Sequence, residues 1–385
     1  MKKNGITEYF AKVETVQEYA GYLYSVGDAL TILILGSMCG LRDIKHIHQW
    51  AVDARVREFL KEEFGIEHIP CYYWLTVLLK IVKPESLSQF FTEWVRTLLP
   101  DDKKIRTLAV DGKTIRATEK RKGYDSPLHI VSAYFAELGI TYAQRAVENK
   151  SNEIPAVQTL LSSLEIKGCI VVADALNCQR QTAKVIVRKK ADYLLAVKKN
   201  QGRLYEDIQD RVEDGEALEK AEITEKNGGR IETRTAYTSC DTSCIRDREN
   251  WAKLACFGAI HRCFQTRGAN DEWVPSNDEW QYYISSRPLS ATELLHHARM
   301  EWRIESMHWL LDVHFDEDFC RAADKNEQKN LNVLRKLALD LVRFYQMKSE
   351  PKQALSRIMF NCLLDPGFLL KLIPQQEDEE DNSET

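Results

Sequence analysis

The chain has 385 residues, 44% of them hydrophobic, so it can bury a large core and form more than one domain. Its first ten residues, MKKNGITEYF, lack the apolar segment of a secretory signal. Its most apolar stretch, residues 29–39, is shorter than the ~20 residues that span a membrane. These features argue against a secreted or membrane-spanning protein, and we expect a cytoplasmic one whose ten cysteines stay as thiols.

The formal net charge of −5 comes from the end of the chain. The last eleven residues, QQEDEEDNSET, contain six acids and no base, and the rest of the chain carries a net charge of +1. This composition is typical of a disordered acidic tail, which we place in a C-terminal extension over residues 349–385. The net charge therefore does not exclude a nucleic-acid partner, because the positions of the basic residues matter more than the total.

The first hundred residues show apolar positions at helical spacing, separated by glycines and prolines. Helices are predicted over residues 13–24, 28–39, 43–51, 54–63, 72–82 and 86–98. Residues 1–100 are therefore expected to form an all-helical accessory domain. It could bind DNA ends, form a dimer, or serve as a purely structural cap.

The spacing of the apolar residues changes after residue 100. Two strand-like runs, 129–136 and 140–147, surround a short turn, and a helix (153–164), a strand (169–173), a helix (178–190) and a strand (192–197) follow. Together with a strand at 108–110, this is the element order of a ribonuclease-H-like α/β fold.

A β-rich insertion is predicted within this fold, at about residues 200–280. A helix over 204–219 precedes strand-like runs at 221–224, 230–237 and 254–262. A strand at 282–285 and helices over 291–312 and 330–345 then return to the main fold. Residues 101–348 are thus expected to form one catalytic domain with an insertion.

Three acids stand out in this domain. Asp111 and Asp174 each follow a short apolar run, and we expect both at the carboxyl ends of strands, with Gly112 turning the backbone. Glu305 lies on a helix face with aromatic residues. An Asp-Gly pair alone is an ordinary turn, but the repeat at Asp174 favours an all-oxygen site for paired Mg²⁺ or Mn²⁺ ions.

Basic residues cluster close to both aspartates. A basic stripe follows Asp174 and comprises Arg180, Lys184, Arg188, Lys189, Lys190, Lys198, Lys199 and Arg203. A second group follows Asp111 and comprises Lys113, Arg116, Lys120, Arg121 and Lys122. Either group alone could be a solvated surface, but their positions favour contacts to DNA phosphates.

Cysteines and one histidine are concentrated between residues 240 and 263. A zinc site could be drawn from Cys240, Cys244, Cys256, His261 and Cys263. The long spacing departs from the paired CxxC arrangement of zinc sites, so these residues are predicted to be packing thiols.

Several segments occur in an order that resembles one family over nearly the whole chain. They are VDGKTIR around Asp111, DALNCQ from Asp174, the following ADYLLAVKKNQ, GRIETR at 229–234, and YYISSRP through WRIESMHWLLDV. The chain is similar to the DDE transposases of the H-repeat-associated, ISAs-type insertion sequences. The resemblance implies a ribonuclease-H-like fold and an enzyme that cleaves insertion-sequence ends and transfers the strands into target DNA.

The resemblance also implies roles for individual residues. Asp111, Asp174 and Glu305 would be the catalytic ligands of two Mg²⁺ or Mn²⁺ ions. The partner would be double-stranded DNA at the nucleoid, bound by a homodimer, with Lys113, Lys198 and Lys199 at phosphates. Arg303 and His308 flank Glu305 and could position it or the DNA, or simply pack on the helix surface. Trp302 and Trp309 could stack on an unpaired base, although tryptophans at that spacing are more often core residues.

Two other functions stay open, and one departure bears on them. The chain could be an inactive or domesticated DNA-binding protein, or a metal-dependent nuclease that does not join strands. Many transposases of the broader superfamily carry a tyrosine, an arginine and a lysine around the glutamate, where this chain has Ala298, Glu301 and Asp312. The excision route, by hairpin or otherwise, is therefore left open.

Overall fold

The computed structural model describes residues 5–17, 23–100, 106–118, 127–147, 152–215, 218–268 and 272–374. Within these ranges the chain forms twelve α-helices and one nine-stranded sheet. None of the described helices is both long and apolar enough to cross a lipid bilayer. The acidic residues after Pro374 and the bases Lys120, Arg121 and Lys122 lie outside the described residues, so the predictions made for them stay predictions.

The described part of the first hundred residues is mainly helical, as predicted. They form α1 (Gly5–Phe10), α2 (Val26–Met38), α3 (Ile44–Ala51), α4 (Ala54–Phe64), α5 (Tyr72–Ile81) and α6 (Pro84–Leu98). Residues 29–39, the apolar run that is too short to span a membrane, lie almost entirely in α2, and nearly every residue of this helix is buried. At the start of α2 the side-chain oxygen of Ser25 accepts a hydrogen bond from the backbone N–H of Asp28. At the end of α4 Gly65 has a left-handed backbone conformation.

One helix prediction in this region is wrong. The segment from Val13 to Gln17 is not helical, because its backbone pairs with the end of α5. Val16 N donates to the Ile81 carbonyl at 2.6 Å, and Lys83 N donates to the Glu14 carbonyl at 2.9 Å. These hydrogen bonds replace the i to i−4 bonds that a helix would need.

A single sheet runs through the rest of the described chain. Its strands are β1 (Thr107–Thr114), β2 (His129–Phe135), β3 (Ile140–Val147), β4 (Ile170–Ala173), β5 (Asp192–Val197), β6 (Glu219–Asn227), β7 (Arg230–Ser239), β8 (Cys256–Arg267) and β9 (Trp273–Ser285). The order across the sheet is β3-β2-β1-β4-β5-β9-β8-β7-β6. β4 is parallel to both β1 and β5, and the remaining neighbours are antiparallel.

The first five strands confirm the predicted ribonuclease-H-like fold. Their order, β3-β2-β1-β4-β5, combines an antiparallel hairpin with parallel strands. The crossovers between the parallel strands contain α7 (Glu153–Ser163) and α8 (Arg180–Arg188). The next helix, α9 (Gly202–Asp214), is shorter than predicted, because Gly215 takes a left-handed φ of 68° and ends it.

The β-rich insertion extends the main sheet. β9 returns beside β5, with Leu194 opposite Ser285 and Val197 opposite Tyr282. β9 begins nine residues before the strand predicted at 282–285, and its first part is mostly exposed and polar. A strand with neither face buried shows no apolar alternation, so the sequence does not reveal it.

Three helices complete the described chain: α10 (Ala291–Phe315), α11 (Lys325–Lys348) and α12 (Leu355–Leu364). α10 begins at a capping box between Ser290 and Glu293 and packs across β1 and β4. α11 packs against α2, α5, α6 and β3, so the helical region and the sheet share one hydrophobic core. The predicted domain boundaries at residues 100 and 348 stay predictions.

Candidate active site

The sheet register places the two aspartates on neighbouring strands. Val110 on β1 is opposite Ala173 on β4, so Asp111 and Asp174 follow at the same level of the sheet. Contrary to expectation, β1 does not end at Asp111. It continues through Gly112 to Thr114 because β2 still pairs with it on the other side. Asp111 therefore lies inside a strand, at the point where the pairing with β4 stops.

Gly112 has a packing role instead of a turn role. A Cβ atom at this position would lie 2.5 Å from Glu153 Oε2 and 2.5 Å from His129 Nε2. Any larger residue would collide with these two buried side chains. The glycine thus makes room for a polar network directly behind Asp111.

This polar network connects to Asp174. His129 Nε2 lies 2.9 Å from Glu153 Oε2, and Thr114 Oγ1 lies 2.9 Å from His129 Nδ1. Asn177 Nδ2 donates to Glu153 Oε1 and to Asp174 Oδ1, both at 3.1 Å. The backbone N–H of Asn177 also donates to Asp174 Oδ1 at 3.1 Å. These bonds orient the carboxylate of Asp174.

The members of this network were not identified from the sequence. His129, Glu153 and Asn177 are almost completely buried. The available signals were a polar residue within a strand, an acid at a helix start, and an asparagine three residues after Asp174. Each of these is common by itself, and only the fold brings the three together.

Glu305 faces the same cleft as the two aspartates. The cleft has a volume of about 660 Å³, and Glu301, one helical turn before Glu305 on α10, also lines it. Lys198, Lys199, Tyr205, Trp280 and Tyr282 form part of its wall. With Glu301, the cleft contains a fourth carboxylate.

Negative charge is concentrated in the cleft. Burial, opposed by a backbone hydrogen bond from Gly112 and aided by the charges of Asp174, Glu153 and Glu305, raises the pKa of Asp111 to about 6. Burial, followed by the charges of Asp174 and Asp111, raises the pKa of Glu301 to about 8. Divalent cations relieve such repulsion, and an all-oxygen donor set fits Mg²⁺ or Mn²⁺.

His308 lies on the far side of Asp111. Its Nδ1 is 3.8 Å from Asp111 Oδ2, and its buried Nε2 has no hydrogen-bond partner. Burial, with the nearby charges of Lys336 and Lys113, lowers the pKa of His308 to about 3. The imidazole is therefore neutral at pH 7 and contacts Asp111 as an uncharged neighbour.

Lys113, one of the predicted phosphate contacts, is surrounded by acids. Its Nζ lies 2.6 Å from Asp312 Oδ1, 3.0 Å from Glu317 Oε2 and 3.9 Å from Asp318 Oδ1. The side chain is only 14% exposed. Lys113 thus connects β1 to the end of α10, and its ammonium group points away from solvent.

The other predicted DNA-binding residues fall into two groups. Arg180 pairs with Asp247, Lys189 Nζ lies 3.4 Å from Glu165, and Arg303 Nη1 donates to the Ala136 carbonyl at 3.0 Å. The second group is exposed and consists of Arg116, Lys184, Arg188, Lys190, Lys198, Lys199 and Arg203. Of these, Lys198 and Lys199 border the cleft.

Aromatic side chains are exposed near the acids. Trp302 and Trp309 are 46% and 61% exposed, so the expectation that they belong to the core is wrong. Trp280, on β9, is also exposed and stacks on His261 with ring centroids 4.3 Å apart. The Arg262 guanidinium lies 4.9 Å from the Trp302 ring. Trp280 from the inserted strands and Trp302 from α10 both line the cleft.

Two family models match most of the chain. The family described as Transposase DDE domain matches residues 102–341, and the one described as DDE_Tnp_1-associated matches residues 7–95. The chain is 30% identical over 358 residues to a putative transposase, YncI, of Escherichia coli O157:H7, covering 89% of this chain and 88% of that protein.

Two further similarities were found. The chain is 28% identical to the H repeat-associated putative transposase YhhI of Escherichia coli K12, covering 91% and 93% of the two chains. It is also similar to the piggyBac transposase in a cryo-EM structure of a synaptic complex with hairpin DNA. That match has a TM-score of 0.43 and 10% identity over 96% of this chain and 78% of that chain. On the extent of the DDE-domain match, the chain belongs to the DDE transposase family, with H-repeat-associated relatives.

Proposed function

We propose that the chain cleaves DNA phosphodiester bonds at the ends of an insertion sequence and joins the resulting 3′ ends to target DNA. One observation carries the proposal: Asp111 and Asp174 lie at the same level of neighbouring strands, and Glu305 faces them in one cleft. Such a set of acids holds two divalent ions in phosphoryl-transfer enzymes.

In this mechanism Asp111, Asp174 and Glu305 would hold the ions. When bound, two Mg²⁺ or Mn²⁺ ions supply Lewis-acid activation of a water molecule and stabilise the departing 3′ oxygen. Asn177 fixes the orientation of Asp174 through its two hydrogen bonds. His308 is neutral and lies beside Asp111, so it does not form an ion pair with the Asp111 carboxylate. Lys198 and Lys199, at the cleft border, would neutralise the phosphates next to the scissile bond.

DNA would run along the exposed cations of the basic stripe. Lys184 and Arg188 on α8, Lys190 just after it and Arg203 on α9 are all exposed. A duplex bound there would release counterions from its phosphates, which gives affinity without sequence preference. Two chains would hold the two ends of the element, and the protein would act at the bacterial nucleoid.

Joining of DNA ends is the test of this proposal. A labelled 3′-hydroxyl end of the encoding element is incubated with the full chain, supercoiled plasmid and Mg²⁺. We expect label in the plasmid with wild type and with Glu62→Gln, an exposed control on α4, and none with Glu305→Gln. If DNA is cleaved but not joined, the chain is a nuclease. If DNA is neither cleaved nor joined, the chain is a DNA-binding protein. Both results would overturn the proposal.

A further inference from the structure

A second group of possible metal ligands lies at the first residue of β1, four residues before Asp111. Glu137 is in the turn between β2 and β3, and His296 and His297 are in the second turn of α10. One ligand atom from each residue lies within 4.8 Å of the others. Among the described residues, this is the only group of three such side chains that meets this distance.

Thr107, the first residue of β1, orients two members of the group. Its backbone N–H lies 3.0 and 2.9 Å from the two oxygens of Glu137, and its hydroxyl lies 2.5 Å from Oε1. The same hydroxyl is 2.8 Å from His297 Nδ1. Metal ligands are commonly held by such outer hydrogen bonds, which fix the rotamer of a carboxylate and the tautomer of an imidazole.

The two histidines differ in environment in a way that suits metal binding. His297 is buried, and the hydroxyl of Thr107 holds its ring through Nδ1. His296 is 51% exposed, and its Nε2 lies 3.7 Å from Glu137 Oε1. An ion could thus enter from the solvent side through His296.

We propose that Glu137, His296 and His297 bind one zinc-class transition-metal ion, with water in the remaining position. Two imidazole nitrogens and one carboxylate oxygen suit Zn²⁺, whereas Mg²⁺ prefers oxygen ligands alone. The ion would join the β2–β3 turn to α10, the helix that carries Glu301 and Glu305. This site is separate from the cleft, and its existence does not depend on the proposed strand transfer.

Zinc affinity of the full chain tests the proposal. The protein is stripped with chelator, and Zn²⁺ binding is followed by calorimetry, with Asp111→Asn/Asp174→Asn as background to remove binding in the cleft. We expect one Zn²⁺ per chain. His296→Gln, at an exposed position that should leave folding intact, should abolish that binding. Thr107→Val should weaken it by roughly 10- to 100-fold, as outer-shell changes do.

A matched control is available in the chain. His46 is also an exposed helical histidine, with Asp43 2.5 Å from its Nδ1, so His46→Gln should keep the Zn²⁺ stoichiometry. Co²⁺ absorption provides a second measurement, since a nitrogen-ligated Co²⁺ spectrum should appear in wild type and disappear in His297→Gln. Zinc binding that is unaffected by His296→Gln and His297→Gln would overturn the proposal, as would the absence of a bound equivalent.

Discussion

The ammonium nitrogen of Lys113 lies 2.6 Å from Oδ1 of Asp312, and this pair joins β1 to α10. Lys113 is two residues after Asp111, and Asp312 is two helical turns after Glu305. The pair therefore connects the strand that carries the first acid to the helix that carries the third.

Replacement of Lys113 should destabilise the fold. Lys113→Met leaves the carboxylates of Asp312 and the buried Glu317 without their cation, and breaking such a buried pair costs about 3–5 kcal/mol. We expect a lower urea midpoint than for Lys199→Met, a change at an exposed cation. If Lys113→Met kept full stability and lost only DNA affinity, the residue would be a phosphate contact after all.

The polar network behind Asp174 should control the metal requirement. Asn177→Ala removes the side-chain hydrogen bond to Asp174 Oδ1, keeps the one from the backbone N–H, and leaves Glu153 with one donor fewer. We expect cleavage at saturating Mg²⁺ to fall by roughly 10- to 100-fold and the half-saturating Mg²⁺ concentration to rise. DNA affinity measured in chelator should not change. An unaltered Mg²⁺ requirement would remove Asn177 from the site.

Acidic groups in the cleft should make the metal-free protein less stable at high pH. The folded pKa values of Asp111 and Glu301, about 6 and about 8, exceed their ordinary values of 3.8 and 4.5. The folded chain therefore binds these protons more tightly than the unfolded chain. The stabilisation that these two protons give the folded state is complete below about pH 4. It is lost as the pH rises through 6 and 8, and the free energy of unfolding then falls by at most about 1.4 kcal/mol per proton and pH unit.

Urea unfolding in chelator can measure this effect. We expect Glu301→Gln to flatten the fall in stability between pH 6 and pH 8, while Glu62→Gln, exposed on α4, leaves it unchanged. Added Mg²⁺ should restore wild-type stability at pH 8, because bound cations replace the lost protons. Equal slopes for Glu301→Gln and wild type would show that Glu301 is ionised in the free protein.

The exposed part of the basic stripe should govern DNA affinity. Alanine substitution of Lys184, Lys190, Lys198 and Lys199 should weaken binding to any duplex and reduce the slope of log affinity against log salt by about 0.9 per lost phosphate contact. Fluorescence anisotropy over a salt series measures both effects. Lys189→Ala offers a control, since Lys189 already faces Glu165. Unchanged affinity in the fourfold variant would place the DNA elsewhere.

Local sequence patterns predicted the main features of the fold and the acids. Apolar runs indicate β4 and β5, because a strand buried on both faces needs little context to recognise. Asp174 follows β4 directly, and the helical spacing around Glu305 is visible over several turns. The exposed half of β9 carries no such pattern and was therefore missed.

Long-range relationships limited the prediction of the site. The sequence indicates a basic group after Asp111, but only the fold shows that Lys113 is enclosed by acids of α10 and the segment after it. The sequence also does not show that Glu301 faces the cleft. Whether a residue on a helix is buried depends on which other elements pack against that side of the helix. The contact between His129 and Glu153 joins residues 24 positions apart in different elements.

The pairing of β5 with β9 has a consequence during synthesis of the chain. About 85 residues separate Val197 from its partner Tyr282, so a ribosome working at roughly 5–20 residues per second needs about 4–17 s to make the neighbour of β5. During that time β5 is an open edge of the nascent sheet, and open edges recruit other strands. Chains translated from the same messenger are thus at risk of pairing with each other, and a chaperone that covers β5 should raise the yield of folded protein.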